Sequence, residues 1–152
     1  MKSDSSTKIY RVSHKITRLD GSIEWRFGCN VITLVGRQRM ASHHAASNPG
    51  KTLITHLAFG TGDEAESEDN ITLETELYRK VLANVFADGV TLYGHVVTLA
   101  SDIGVGTYDI TEAALFDAAV GGNMIARQVL DTTIEDFTGA ETIDTLWGII
   151  NQ

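Results

Sequence analysis

Glu112 is the residue whose setting most demands a partner. It stands in Ile110-Thr111-Glu112-Ala113-Ala114-Leu115-Phe116, an otherwise apolar run. An unpaired buried carboxylate is very costly, so such a position calls for a cation. Glu74, Glu76 and Arg79 lie close together in an earlier segment. Glu76 and Arg79 are three residues apart, which makes them neighbours on a helical turn. The expectation is a polar clamp: Arg79 bridges Glu76 and Glu112 and pins a helical turn, begun near Thr72, to a sheet. This clamp is a structural device. Gly60 and Gly62, in Gly60-Thr61-Gly62, are expected to allow a tight turn after a strand.

Other constellations fall short of catalysis or ligand binding. The histidines are His14, His43, His44, His56 and His95, with no HExxH and no Cys/His cluster. His43 and His44 are adjacent and diverge on a helix. His56 and His95 lie on separate strands that could meet. Gly60-Thr61-Gly62 and Gly104-Val105-Gly106 do not extend into a dinucleotide-binding fingerprint. Gly50-Lys51-Thr52 resembles the end of a phosphate-binding loop, but Ala45 stands where the first glycine belongs and a strand pattern follows. Asp63, Glu64, Glu66, Glu68 and Asp69 could offer oxygens to Ca²⁺, yet their spacing is not that of an EF-hand, and a solvated loop is expected. No serine stands in a nucleophile elbow. The reading is therefore of a non-enzymatic protein with no metal and no cofactor.

The elements that must carry these residues are mostly strands. Leu19-Asp20-Gly21-Ser22 separates two alternating runs, which predicts a β-hairpin of 8–17 with 22–27. Asn30 is a candidate N-cap for the one long helix, expected over 31–46 and stopped by Asn48-Pro49-Gly50. Further strands are expected at 53–59, 81–86, 90–99, 108–116, 123–130 and 145–150, with turns at Ala87-Asp88-Gly89 and Gly121-Gly122. Short strands with frequent turns predict a mainly β fold, an antiparallel β-sandwich with one packed helix and an N-terminal hairpin. The exposed sheet edges are expected at 8–17 and 145–150. The chain divides into 1–50, hairpin plus helix, and 51–152, the sandwich core, together forming one compact domain.

Composition narrows the partners. The chain has 152 residues, is 43% hydrophobic, and carries 20 acidic against 12 basic residues for a net charge of −8. An acidic surface repels phosphate backbones, and Arg37 with Arg39 is a thin basic footprint, so no nucleic-acid partner is expected. No apolar run approaches the roughly 20 residues that span a bilayer, and residues 1–7 are polar, so neither a membrane partner nor a signal peptide is expected. The single cysteine, Cys29, is expected to be a small buried hydrophobe.

Three blocks in fixed order carry a resemblance. They are Ile54-Thr55-His56-Leu57-Ala58-Phe59-Gly60-Thr61-Gly62, then Thr72-Leu73-Glu74-Thr75-Glu76-Leu77-Tyr78-Arg79, then Asp109-Ile110-Thr111-Glu112-Ala113-Ala114-Leu115-Phe116-Asp117. The third is closed by Gly122-Asn123-Met124-Ile125-Ala126-Arg127, and Leu146-Trp147-Gly148-Ile149 follows near the end. This set resembles small tail-associated proteins of tailed bacteriophages and the collar domain of their tail fibres. The resemblance spans about residues 53–152 and departs at Ala114, where that family usually has glycine. It implies a virion structural protein made in the host cytoplasm: a tail, tail-fibre adaptor or baseplate and tail-tip component. It also implies a homo-oligomer, with a trimer favoured, that contacts other virion proteins. A capsid decoration protein is the alternative. A host-glycan-binding module is a second, with Trp25, Trp147 and Tyr93 as the stacking candidates.

Overall fold

The computed structural model describes residues 12–44 and 53–150. In chain order the strands are β1 (Val12–Thr17), β2 (Ile23–Gly28) and β3 (Val31–Ile32), followed by helix α1 (Leu34–His44). Next come β4 (His56–Gly60), β5 (Glu76–Val81), β6 (Asn84–Asp88) and β7 (Thr91–Leu99). The short helix α2 (Ala100–Ile103) precedes β8 (Thr107–Phe116), β9 (Met124–Thr138) and β10 (Thr142–Ile150). They form two antiparallel five-stranded sheets, β2-β1-β10-β7-β6 and β3-β9-β8-β4-β5. This is the mainly β, sandwich-like architecture that the strand and turn spacing predicts.

The core lies between the inner faces. Alternation on β1 and β10 sends Val12, Ile16, Ile143, Trp147 and Ile149 inward, where they meet Leu57, Phe59, Ala113, Leu115 and Ile125 of the second sheet. The outer face of the second sheet is also buried. Ala58, Ala114, Phe116 and Met124 pack there with Leu73, which comes from the connection between β4 and β5. Ala114 sits in this small cluster, fully buried.

The Asp-Gly signal places the first hairpin correctly. Gly21 takes φ 83°, the Ser22 N–H donates to Asp20 Oδ1 at 2.8 Å, and β1 pairs β2 from Thr17↔Ile23 to Val12↔Gly28. Residues 8–11 of the expected strand lie outside the described residues, as do 45 and 46 of the expected helix and Gly50-Lys51-Thr52.

Several boundaries differ from expectation. The helix starts after Thr33, not Asn30. Thr33 Oγ1 accepts the Gly36 N–H at 2.8 Å, while Val31 and Ile32 pair with β9 as a strand. Asn30 instead donates its side-chain amide to the Gly148 carbonyl at 3.2 Å. The expected strand 81–86 is two strands in different sheets. The chain crosses between them at Leu82 and Ala83, whose N–H groups donate to Thr55 and His95 carbonyls at 2.8 and 2.9 Å. Among the described residues the sheet edges are β2, β6, β3 and β5, and not 12–17 or 145–150. Both β1 and β10 have a strand on each side because the N-terminal hairpin docks on β10. Cys29, in the link between β2 and β3, is only half-buried.

Candidate functional site

Glu112 is held from four directions. It points to the outer face of the second sheet, and the chain between β4 and β5 folds over it. Its Oε1 accepts the N–H groups of Gly62 and Thr75 at 3.0 and 2.9 Å. Its Oε2 accepts the Glu74 N–H at 3.2 Å and both Nε and Nη2 of Arg127 at 3.1 and 2.9 Å. Glu112 is 0% exposed and Arg127 1%. The remaining Arg127 nitrogen, Nη1, donates to Asn70 Oδ1 at 3.0 Å. One carboxylate and one guanidinium thus tie β8, β9 and both ends of the 61–75 connection together.

The expected clamp is therefore corrected. Arg79 does not reach Glu112; the cation there is Arg127. Nor do Glu76 and Arg79 lie on a helical turn, because main-chain pairing with β4 draws them into β5. The two still meet, with Arg79 Nε and Nη2 at 2.9 and 2.8 Å from Glu76 Oε1. Residues three apart on a regular strand face opposite ways. Here the register slips between Phe59↔Tyr78 and Gly60↔Glu76, and that β-bulge returns both to one face. Arg79 turns away from Glu112, toward the β8–β9 turn. Its Nη1 donates to the carbonyls of Ala118 and Gly121 at 2.9 and 2.8 Å, and its guanidinium lies 3.5 Å over the Phe116 ring.

Gly60 and Gly62 belong to the Glu112 site for a reason beyond turn geometry. A Cβ on Gly60 would collide with the Thr75 carbonyl, and one on Gly62 with the Glu74 side chain. Both would also press on Glu112 Oε1. The glycines let the connection approach the carboxylate closely enough for its N–H groups to reach.

Arg127 carried a legible signal. It is a lone cation closing the apolar run Met124-Ile125-Ala126, just as Glu112 is a lone anion in its own strand. Two opposite charges embedded in apolar segments of adjacent strands are natural partners. In register, Arg127 lies opposite Ala114, two residues from Glu112 along β8.

His14, His56 and His95 do not come together. His56 contacts Thr55 Oγ1 at 2.7 Å in the second sheet, and His95 contacts Asp144 at 2.7 Å in the first. His14 is fully buried between the sheets. Its Nε2 donates to Gln128 Oε1 at 2.9 Å and its Nδ1 lies 2.8 Å from Thr145 Oγ1. Burial pushes its pKa down to about 4, only partly offset by the Gln128 bond. Asp117, beside the β8–β9 turn, is held below the usual carboxylate range. Burial opposes this, but hydrogen bonds from Asn123 and the Arg39 guanidinium at 3.2 Å prevail.

In the acidic connection, Glu74 Oε2 accepts the N–H groups of Asp63 and Glu64, and Glu68 pairs with Arg37 of α1 at 2.6 Å. Among the described residues no three His, Cys, Asp or Glu side chains are placed to hold a metal ion. Of the stacking candidates, Trp147 is fully buried and Tyr93 is half-buried against Phe86, while Trp25 is 49% exposed.

Comparison with known proteins finds no matching family model, no similar curated protein and no matching solved structure.

Proposed function

We propose that this chain is a non-enzymatic structural component of a tailed-phage particle: a tail, tail-fibre adaptor or baseplate and tail-tip protein that works by homo-oligomeric assembly, with a trimer favoured. The observation that carries the reading is the convergence of the resembling blocks on one buried device. Gly60 and Gly62 come from the first block, Glu74 and Thr75 from the second, Glu112 from the third and Arg127 from its closing segment. All meet at a carboxylate that accepts five hydrogen bonds and is sealed from solvent. A carboxylate so committed has no lone pair left for a substrate, so the motif residues serve to hold a loop against a sheet. Such a clamp makes a rigid scaffold, and function then lies on the surfaces.

Those surfaces suit assembly. Phe86, Val85 and Val90 are exposed on or beside the edge strand β6, and Leu146 opens on the same outer face of the first sheet as Phe86. Apolar side chains at an open sheet edge are the kind of surface that a neighbouring subunit covers. The test is quantitative mass spectrometry of gradient-purified particles that encode the chain. A fixed copy number in multiples of three supports the reading, and absence from the particle overturns it.

A further inference from the structure

The first sheet ends in β2, whose outward side chains are Ile23, Trp25 and Phe27, exposed by 52%, 49% and 56%. Trp25 and Phe27 stack in parallel, their ring centres 5.5 Å apart and their planes within 5°. Beside them the second sheet contributes an irregularity. From Ile110↔Ile134 to Glu112↔Val129, β8 advances two residues while β9 advances five. The extra residues of β9 swing out toward β2, where Arg26 catches them. Its Nε and Nη2 donate to the carbonyls of Thr132 and Thr133 at 3.1 and 3.2 Å, and its Nη1 to the Trp25 carbonyl at 3.1 Å. The result is an open groove of about 450 Å³, lined by Trp25, Arg26, Phe27, Leu130, Asp131 and Thr132.

The groove has a definite chemical character. One wall is a rigid aromatic platform with a free face. The other presents the exposed Asp131 and Thr132, whose side chains engage no residue among those described. The Arg26 guanidinium is already spent on three carbonyls and the nearby Glu24, at 3.5 Å. It positions the wall and is not free to bind an anion. The charge left facing the groove is the Asp131 carboxylate. A carboxylate with two free oxygens accepts from paired hydroxyls, a threonine hydroxyl donates and accepts, and an aromatic face takes up an apolar C–H surface. Few small ligands offer adjacent hydroxyls and a flat C–H face together; a pyranose ring does. An anionic ligand would meet Asp131 with like charge.

We infer that the groove between β2 and the β9 bulge is a binding site for a neutral pyranose unit of a polysaccharide, stacked on Trp25 and hydrogen-bonded by Asp131 and Thr132. The site is independent of the virion proposal: losing sugar binding leaves particle incorporation unchanged.

The experiment applies the full chain to an array of neutral and anionic oligosaccharides, then titrates a retained neutral one against it. Isothermal titration calorimetry measures binding for the parent chain and every variant, and in the parent chain tryptophan emission locates the contact, because Trp25 is half-exposed and Trp147, the other tryptophan, is fully buried. Trp25→Ala and Asp131→Asn each weaken binding about tenfold or more. Phe86→Ala, at the far edge of the same sheet, leaves it unchanged. Both test residues are exposed enough for the variants to fold, and circular dichroism checks this. The inference is overturned if the array retains no neutral glycan, or only anionic ones. It is equally overturned if both variants bind like the parent chain, or if sedimentation shows an oligomer that Trp25→Ala dissociates and Phe86→Ala does not, which would place a second copy of the chain over Trp25.

Discussion

Replacing Glu112 by alanine removes the acceptor at the centre of the one ion pair that is fully buried among the described residues. Arg127, 1% exposed, keeps its charge and loses its anion, and the N–H groups of Gly62, Glu74 and Thr75 lose their acceptor. Stranding one member of a buried pair costs about 3–5 kcal/mol. Each backbone donor that water does not reach adds about 1–3 kcal/mol. Against a total stability of roughly 5–15 kcal/mol, Glu112→Ala sits at or beyond the limit of folding. Glu112→Gln is the graded version. Its amide oxygen still serves Gly62 and Thr75 while the charge facing Arg127 is gone, for a loss of about 3 kcal/mol. At this chain length that is a melting-temperature drop of about 6–12 °C. Arg127→Met costs less than Glu112→Ala, because Glu112 keeps its three backbone donors. The double variant recovers part of the Arg127 penalty, giving a coupling of about 1–3 kcal/mol. Urea unfolding followed by circular dichroism at pH 7 measures all four. A Glu112→Ala loss below about 1 kcal/mol, or strict additivity with Arg127→Met, refutes the clamp.

Arg79→Met removes two bonds to the β8–β9 turn and the contact over Phe116, for a loss of about 2 kcal/mol and faster amide exchange around residues 118–121. Gly60→Ala forces the 61–75 connection away from Glu112 and costs about 1–3 kcal/mol in melting experiments. Acid sensitivity begins with His14. Its folded pKa of about 4 lies below the unfolded value of 6.5, so the unfolded chain takes up the proton first. Stability is therefore full above about pH 6.5 and falls by about 1.4 kcal/mol per unit down to about pH 4. His14→Gln removes most of that slope in unfolding curves taken across the interval and leaves the part from His56, whose pKa is also lowered by burial and by the nearby Arg79. The depressed Asp102 and Asp117 contribute stability that is present above their ordinary value and is lost only in stronger acid.

What the sequence made legible followed from local chemistry. Asp20-Gly21 announces the first hairpin because the turn needs a positive φ at the glycine, and alternation along 90–99 marks a strand with one buried face. What it concealed depended on distant pairing. Leu77 to Val81 form a strand because β4 offers an edge, while the acids before them imitate a helix start. The stretch of β9 beyond Leu130 reads as polar loop, since Asp131 and Thr132 face solvent while Ile134 and Phe137 return to the core. Glu112 was legible as a charge in need of a partner, and Arg127 as a lone cation in an apolar run, but the sequence did not join the two. Spacing along the chain favours Arg79, whereas the β8–β9 register delivers Arg127. Likewise the true sheet edges became visible only once the hairpin was docked on β10.

Immunogold labelling of intact phage particles that encode this chain tests the central proposal most directly. Gold at the tail, its fibres or its tip is the predicted result. Gold over the capsid contradicts the tail assignment and makes the chain a decoration protein, and particles that carry no label contradict a virion role altogether.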